Sequence, residues 1–343
     1  MTRGDQAKIA AFVLIVAAIP LYLTVPWAHE QLERFFSNAR AQVFGQVLVA
    51  ILLEAFPFVL IGAILSGVIE VLVPAEAIAR LVPRRMWARL AVAPLLGVIF
   101  PVCECGVVPV VRRLIRKGLP MEMAAAYLLA GPIVNPTVVA STVLAFAGRR
   151  EMWAMPVARV ATGVLVAAMV GLAIARWVRP AAPASSQVEA FGHSGGGVWH
   201  ALVHILHHMT RDFLLLGGYL LFGAILAAGV QSFVPRTILV SVAERPLLPG
   251  LARPGLATCG MMVLAFALNL CSEADAFVAA SFTQFGFAAK LAFLAFGPML
   301  DVKLVVMYLG ALPKRVLLAV VLLVPVPVLV LSELAGWLFE ATR

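Results

Sequence analysis

Charged side chains are scarce in this sequence. Only 13% of its 343 residues are charged, whereas 63% are hydrophobic and the mean hydropathy is +1.02. Several apolar runs exceed the ~18 residues that mark a membrane-spanning helix, so the composition excludes a soluble domain. It predicts an all-α polytopic membrane protein with about nine hydrophobic segments.

Cysteine is also rare, and the familiar catalytic signatures are missing. Cys103, Cys105, Cys259 and Cys271 all lie in apolar stretches, which argues against an extracellular disulfide framework. No Walker A motif is present, which argues against ATP hydrolysis in this chain. No Ser-His-Asp arrangement or haem-attachment motif is evident either. We therefore predict that the protein is not an enzyme. The sequence identifies no resident cofactor.

The positive charge is concentrated in short loops. The formal net charge is +9, but Arg and Lys cluster between apolar runs, as in residues 80–89 and 112–117. Basic loops of this kind orient a protein in the membrane. The expected partner is therefore the lipid bilayer rather than a nucleic acid, and the expected location is the cytoplasmic membrane, crossed several times.

Apolar runs and breaks predict four regions. Residues 1–42 are expected to hold an N-terminal transmembrane helix, over 9–26, and a loop. A first repeat over 43–179 follows, and Pro74 ends its first long run. A His-containing linker over 180–209 then leads to a second repeat over 210–343.

The most unusual stretch is Phe100–Pro109, which places two thiols and a carboxylate inside an apolar run. Glu104 would cost roughly 2.5–3.5 kcal/mol at the centre of a lipid-facing helix, so it should face protein or water. Pro101 and Gly106 discourage a continuous helix. Basic clusters on both flanks predict a re-entrant hairpin that turns near Cys103–Gly106, with its extended backbone directing both sulfurs to one side.

Three matches in the same order predict an internal duplication. If the third run is re-entrant, the second half is inverted, as we favour. If every run spans the membrane, the halves are parallel. The matching pairs are Leu60–Leu65 with Leu221–Leu226, Cys103–Gly106 with Cys271–Ala274, and Gly131–Asn135 with Gly297–Asp301.

Polar and sulfur-bearing kinks of both halves are expected to meet in a wet cavity near the membrane midplane, where they would bind substrate. Two alternatives remain open. The cysteines could be inert core residues, and the carboxylates could form structural ion pairs with Arg113, Arg159 or Lys303. The candidates are Cys103, Glu104, Cys105, Asn135, Cys271, Glu273, Asp275 and Asp301.

Four histidines, His200, His204, His207 and His208, would share one face of a helix. Imidazoles four residues apart can hold one metal ion. The alternative is an interfacial helix with these side chains at headgroup level.

Phe100–Pro109, the basic residues after it and Gly131–Pro136 together resemble the predicted permeases of the DUF318, or organoarsenical-exporter-like, group. The resemblance covers about Val43 to Pro313. It implies a cytoplasmic-membrane permease, with relatives that export trivalent organoarsenicals or are linked to copper or zinc efflux. It singles out Cys103, Cys105, Gly106, Asn135 and Pro136. Glu104 stands between the thiols, where such exporters often have a small polar residue.

The leading hypothesis is a secondary transporter that exports a thiophilic metal or metalloid by alternating access. Cys103 and Cys105 would bind a soft ion such as zinc, copper(I) or a metalloid as substrate. One rival is a membrane thiol-disulfide oxidoreductase. The other is a permease for an organic solute or anion with structural cysteines. Assembly as a homodimer is a possibility that the sequence leaves open.

Overall fold

The computed structural model describes residues 39–100, 102–177, 198–233 and 254–342. Over these ranges the chain is built of helices without strands, which confirms the all-α prediction. The first hydrophobic run, 9–26, and most of the linker lie outside the described residues.

The first half contains one long helix, a set of short helices and a second long helix. Pro74, which precedes α2, separates it from α1 as predicted. In chain order they are α1 Ala39–Leu72, α2 Ala75–Leu81, α3 Met86–Val92, a 3-10 turn Ala93–Leu95, α4 Leu96–Ile99, α5 Glu104–Arg116, α6 Met121–Val134, α7 Pro136–Ala145 and α8 Ala154–Trp177.

The second half repeats this order over its described residues. A long helix again precedes short broken helices and a terminal apolar segment. These are α9 Val198–Phe233, α10 Pro254–Leu268, α11 Asp275–Ser281, α12 Phe287–Phe296, α13 Val302–Ala311, α14 Lys314–Leu323 and α15 Pro325–Ala341.

Fewer segments are long enough to span a membrane than the sequence suggested. Among the described residues, four are, namely Arg40–Leu72, Ala154–Trp177, Leu202–Phe233 and Lys314–Ala341. The pair α6 and α7, bent by 41°, makes a fifth if it is one span. The predicted number of nine is not confirmed, because several apolar runs are divided into helices of 10 to 17 residues.

The two long helices α1 and α9 run antiparallel. Near the end of α1, Ser66 contacts Asp212, whereas near its beginning Ile51 lies in a buried cluster with Ala224 and Ala227. The alignment of Leu60 with Leu221 carries Ser66 onto Ala227 and Ile51 onto Asp212. The two contacts are therefore equivalent positions exchanged between the helices. This antiparallel pairing is the arrangement that an inverted repeat requires.

Two equivalent glycines bring the long helices close to short helices of the core. A Cβ atom on Gly62 would collide with the carbonyl oxygen of Gly106 in α5. A Cβ atom on Gly223, the counterpart of Gly62, would lie 2.9 Å from the Cα atom of Lys303 in α13. Small residues permit such close helix packing in membranes.

The break in the third apolar run lies earlier than predicted. Helix α4 ends at Ile99 and α5 begins at Glu104, so Glu104, Cys105 and Gly106 are helical. Cys103 alone of the motif keeps an extended backbone, with φ −67° and ψ 174°. Gly106 is tolerated inside the helix because its missing side chain admits α1.

Two predicted boundaries also differ from the helix limits. The boundary at 42/43 lies inside α1, and the boundary at 209/210 lies inside the continuous α9. The basic residues after Val111 do not form a loop either, because α5 continues to Arg116. Basic side chains in its last turn suit the negative end of the helix dipole.

Candidate functional site

Four helices begin at one place in the interior. Cys103 precedes α5, Asn135 precedes α7 and Asp301 precedes α13, while α11 begins at Asp275. Asp301 Oδ1 accepts a hydrogen bond from Leu304 N at 2.6 Å. Helix N-termini carry partial positive charge, so their convergence favours the carboxylates found there.

Direct hydrogen bonds join the two halves at these breaks. Ser272 Oγ donates to Glu104 Oε2 at 2.9 Å, although the residues are 168 positions apart. Thr137 Oγ1 donates to Glu273 Oε1 at 3.0 Å. The stretches 103–105 and 271–275 therefore lie together, as the sequence hypothesis requires.

A buried lysine connects the carboxylates. Lys303 Nζ lies 3.5 Å from Glu104 Oε1 and 3.2 Å from Asp301 Oδ2. It also donates to the backbone carbonyl of Asn269 at 3.0 Å. Asn269 adopts a left-handed conformation, φ 50°, and its Oδ1 accepts from Lys303 N at 3.1 Å. The break at Asn269 thus receives Lys303 through two hydrogen bonds.

Three thiols face one another beside this lysine. Cys103, Cys105 and Cys271 are 2–3% exposed, and all three line one cavity together with Lys303. Cys271 Sγ lies 3.3 Å from Glu273 Oε2. All described cysteines are free thiols. Within the described ranges, no group of three His, Cys, Asp or Glu side chains is arranged as a metal site.

The thiols enclose a very small cavity. Its volume is about 10 Å³, which is the space of about one water molecule. The cavity is therefore too small for a larger occupant unless the helices separate. It is lined by Ile51, Glu54, Ala55, Phe58, Cys103, Glu104, Cys105, Cys271 and Lys303.

The geometry differs from the extended motif that we expected. An extended chain would have placed Glu104 opposite the two sulfurs. Because α5 begins at Glu104, all three side chains instead border the same cavity.

Asp275 belongs to a separate ion pair. Its Oδ2 lies 2.7 Å from Arg159 Nη2, and both side chains are almost completely buried. Arg159 also donates to the carbonyl of Ser272 at 3.0 Å and to Thr142 Oγ1 at 2.8 Å. Asp275 therefore forms an ion pair with Arg159, and Asp301 forms one with Lys303, as the ion-pair alternative proposed.

Three other candidates support the site without lining the cavity. Asn135 Nδ2 donates to the carbonyl of Val102 at 3.4 Å, and Asn135 Oδ1 caps α7. Pro136 is the exposed first residue of α7, where proline is favoured because no helical N–H is needed. Gly106 is buried against α1.

The histidine prediction remains a prediction. The His200 side chain lies outside the described part of the structure. His204, His207 and His208 belong to the first turns of α9, and the rings of His207 and His208 are 5.9 Å apart in an edge-on arrangement.

A second buried polar cluster lies away from the thiols, and the sequence reasoning missed it. Arg113 donates to Asp212 and Ser66, and it pairs with Glu70 at 3.1 Å. Arg113 was expected in a basic loop and was named only as a possible ion-pair partner, and no role was predicted for Asp212. The available signal was Glu70, an acidic residue inside a long apolar run.

The fold and this site define a polytopic membrane protein of the permease class, with polar helix breaks buried between two halves. The profile of a family described as predicted permease matches residues 41–337, which is most of the chain. The chain belongs to this predicted permease family, as its motifs indicated.

Two relatives are similar over most of their length. A UPF0718 protein, YcgR of Bacillus subtilis (strain 168), is 36% identical over 281 residues, covering 79% of this chain and 89% of the relative. A Streptococcus mutans protein is 35% identical over 275 residues, 79% of this chain and 88% of its own. It is named, by prediction, as a subunit of a two-component membrane permease complex. No solved structure matches the chain.

Proposed function

We propose that this permease is a secondary-type transporter that exports a thiophilic metal or metalloid species across the cytoplasmic membrane by alternating access. The observation that supports it is the meeting of three thiols from both halves, Cys103, Cys105 and Cys271, at one small cavity. Thiolates select soft species such as Cu(I) and Zn(II), and they would also suit a trivalent metalloid.

Proton acceptors stand beside these thiols. A thiol must lose its proton when it becomes a ligand. Glu273 lies within reach of the Cys271 thiol, and Glu104 lines the same cavity. In this proposal Glu104 and Glu273 neutralise the cargo or take up the protons that it displaces.

Alternating access requires the two halves to separate on one side at a time. The bond between Ser272 and Glu104 closes the site at its centre. Broken helices let the segments around Cys103 and Cys271 move without unfolding a long span. In this proposal the small cavity belongs to the state without cargo, and it expands to admit cargo.

The decisive experiment uses the full chain in proteoliposomes. Efflux and bound-metal content are measured with Cu(I), Zn(II) and trivalent arsenic for wild type and for Cys103→Ser, Cys105→Ser and Cys271→Ser. Cys259→Ser is the matched control, because Cys259 lines a different, apolar cavity. We expect loss of binding and transport in the three variants and wild-type behaviour in the control.

The same experiment separates the rival functions. Full transport of an organic solute or anion by a cysteine-free variant would overturn the proposal and indicate a permease with structural cysteines. Cycling of Cys103 and Cys105 between thiol and disulfide during turnover, without transport, would indicate an oxidoreductase.

A partner subunit is a further part of the proposal. The name of the Streptococcus mutans relative assigns that protein to a two-component complex. We propose that this chain likewise works with a second component or as a homodimer. Mass measurement of the native complex, extracted under mild conditions, distinguishes these assemblies from a single chain.

A further inference from the structure

Lys303 is an unusual occupant for a site between helix breaks. Its side chain is 3% exposed and its ammonium group lies among three oxygen atoms, Asn269 O, Asp301 Oδ2 and Glu104 Oε1. Two of these oxygens come from the breaks before α11 and α13, and the third comes from the first residue of α5. The ammonium group therefore touches both halves.

This oxygen set is one that would hold a free cation. Unwound backbone carbonyls and carboxylates at broken helices coordinate small cations in transporters with related halves. Two carboxylates and one carbonyl in a closed space would otherwise carry uncompensated negative charge, which is costly in a membrane interior. The Lys303 ammonium supplies the positive charge at this point.

The backbone is arranged to bring this lysine to the site. Gly223 lets α9 approach the Cα atom of Lys303 to within a distance that no side chain would allow. The side-chain oxygen of Asn269 accepts a hydrogen bond from the backbone N–H of Lys303, and the backbone carbonyl of Asn269 accepts one from the Lys303 ammonium. Lys303 is thus held at both ends of its side chain.

We propose that the Lys303 ammonium is a tethered cation occupying a small-cation site, formed by Asn269 O, Asp301 and Glu104, that accepts a free Na⁺ or K⁺ ion when the ammonium is removed. In the intact protein this built-in charge takes the place of an inorganic coupling ion at the junction of the halves. Because Glu104 also lines the thiol cavity, cargo that engages Glu104 must displace the ammonium from it.

The site is tested without any cargo, so the outcome does not depend on the proposed transport function. The unfolding temperature of the purified full chain is measured in NaCl, KCl and choline chloride at equal ionic strength. We expect Lys303→Ala to be stabilised by Na⁺ or K⁺ relative to choline, because choline is too large for the vacated space. Wild type and Lys303→Arg should show no such difference.

A matched control excludes a general effect of removing a buried lysine. Lys290 is 4% exposed and pairs with Glu151 at 3.1 Å, in a different part of the protein. Lys290→Ala should be equally stable in the three salts. Equal dependence on Na⁺ in Lys290→Ala or in wild type would overturn the proposal.

A second variant covers the case in which Lys303→Ala does not fold. Lys303→Ala combined with Glu104→Gln restores the formal charge of the site while keeping Asp301 and the Asn269 carbonyl. Stabilisation of this double variant by Na⁺ or K⁺ supports the proposal. Insensitivity to both ions, in whichever of the two variants folds, refutes it.

Discussion

Arg113 and Asp212 form a buried ion pair between the two halves, with Nη2 and Oδ2 2.5 Å apart although 99 positions separate the residues in sequence. Ser66 completes the cluster by donating to the same carboxylate at 2.6 Å. Because Arg113 lies near the end of α5, this pair ties the helix that begins at the thiols to the long helix α9.

Removal of one partner of this pair should be costly. In Asp212→Ala the Arg113 guanidinium loses its buried partner and keeps its ion pair with Glu70, whose side chain is 30% exposed. We expect a loss of about 3 kcal/mol in the free energy of unfolding, the lower end for a broken buried pair. Denaturant unfolding in detergent measures it. The double variant Arg113→Met/Asp212→Leu should recover most of the loss, and a stability of Asp212→Ala equal to wild type would contradict the assignment.

The Gly62 contact predicts a strong effect from a single methyl group. Gly62→Ala places a Cβ atom 2.8 Å from Pro109 Cγ and against the Gly106 carbonyl. We expect α1 and α5 to be forced apart, with loss of transport and a lower unfolding temperature. Gly229 in α9 is the control, since a Cβ atom there meets no atom of the described part of the chain within 4 Å. Gly229→Ala should be neutral or stabilising by about 0.5–1 kcal/mol. A tolerated Gly62→Ala would show that the two helices can move apart freely.

Ser272 and Ser332 are both buried serines with opposite expectations. Ser272→Ala removes the hydrogen bond to Glu104 and leaves a buried carboxylate oxygen unsatisfied, at a cost of about 1–3 kcal/mol. Ser332 Oγ has no hydrogen-bond partner among the residues that the structure describes, so Ser332→Ala should be neutral or stabilising. Parallel unfolding curves of the two variants check this order. The reverse order would show that the central bond does not close the site.

Arg159 should be far less replaceable than Lys290. Arg159→Met leaves Asp275 buried without its cation and should cost about 3–5 kcal/mol. Lys290→Met leaves Glu151, which is 19% exposed and can be hydrated, so we expect a smaller loss. Folding yield and thermal unfolding of the two variants test the contrast. Equal losses would indicate that water reaches the Arg159 pair.

The sequence was most informative where chemistry and backbone both departed from an apolar helix. Cys103, Glu104 and Cys271 could be grouped in advance because each lies at a helix break. At membrane depth such a break must be buried in protein or line a cavity, because its backbone groups need hydrogen-bond partners. The partners of the carboxylates could be named but not assigned. Which lysine or arginine reaches Asp301 or Asp275 depends on how the short helices cross.

The remaining features depend on three-dimensional approach that no local pattern encodes. Arg113 and Asp212 each have an ordinary local explanation, a basic helix end and the polar beginning of the predicted second repeat. Only the packing of α5 on α1 and α9 joins them. The start of α5 was placed too late for a similar reason. Gly106 can lie inside α5 because Gly62 of α1 has no side chain to collide with the Gly106 carbonyl.

The two equivalent contacts between α1 and α9 have side chains of different polarity. At one contact of this antiparallel pair Asp212 accepts a hydrogen bond from Ser66 and forms an ion pair with Arg113. The equivalent contact holds Ile51 in an apolar cluster with Ala227. Wetting one end means hydrating a charged group, while wetting the other means exposing methyl groups. In the proposed transport cycle the two ends of this helix pair would therefore open at different energetic cost.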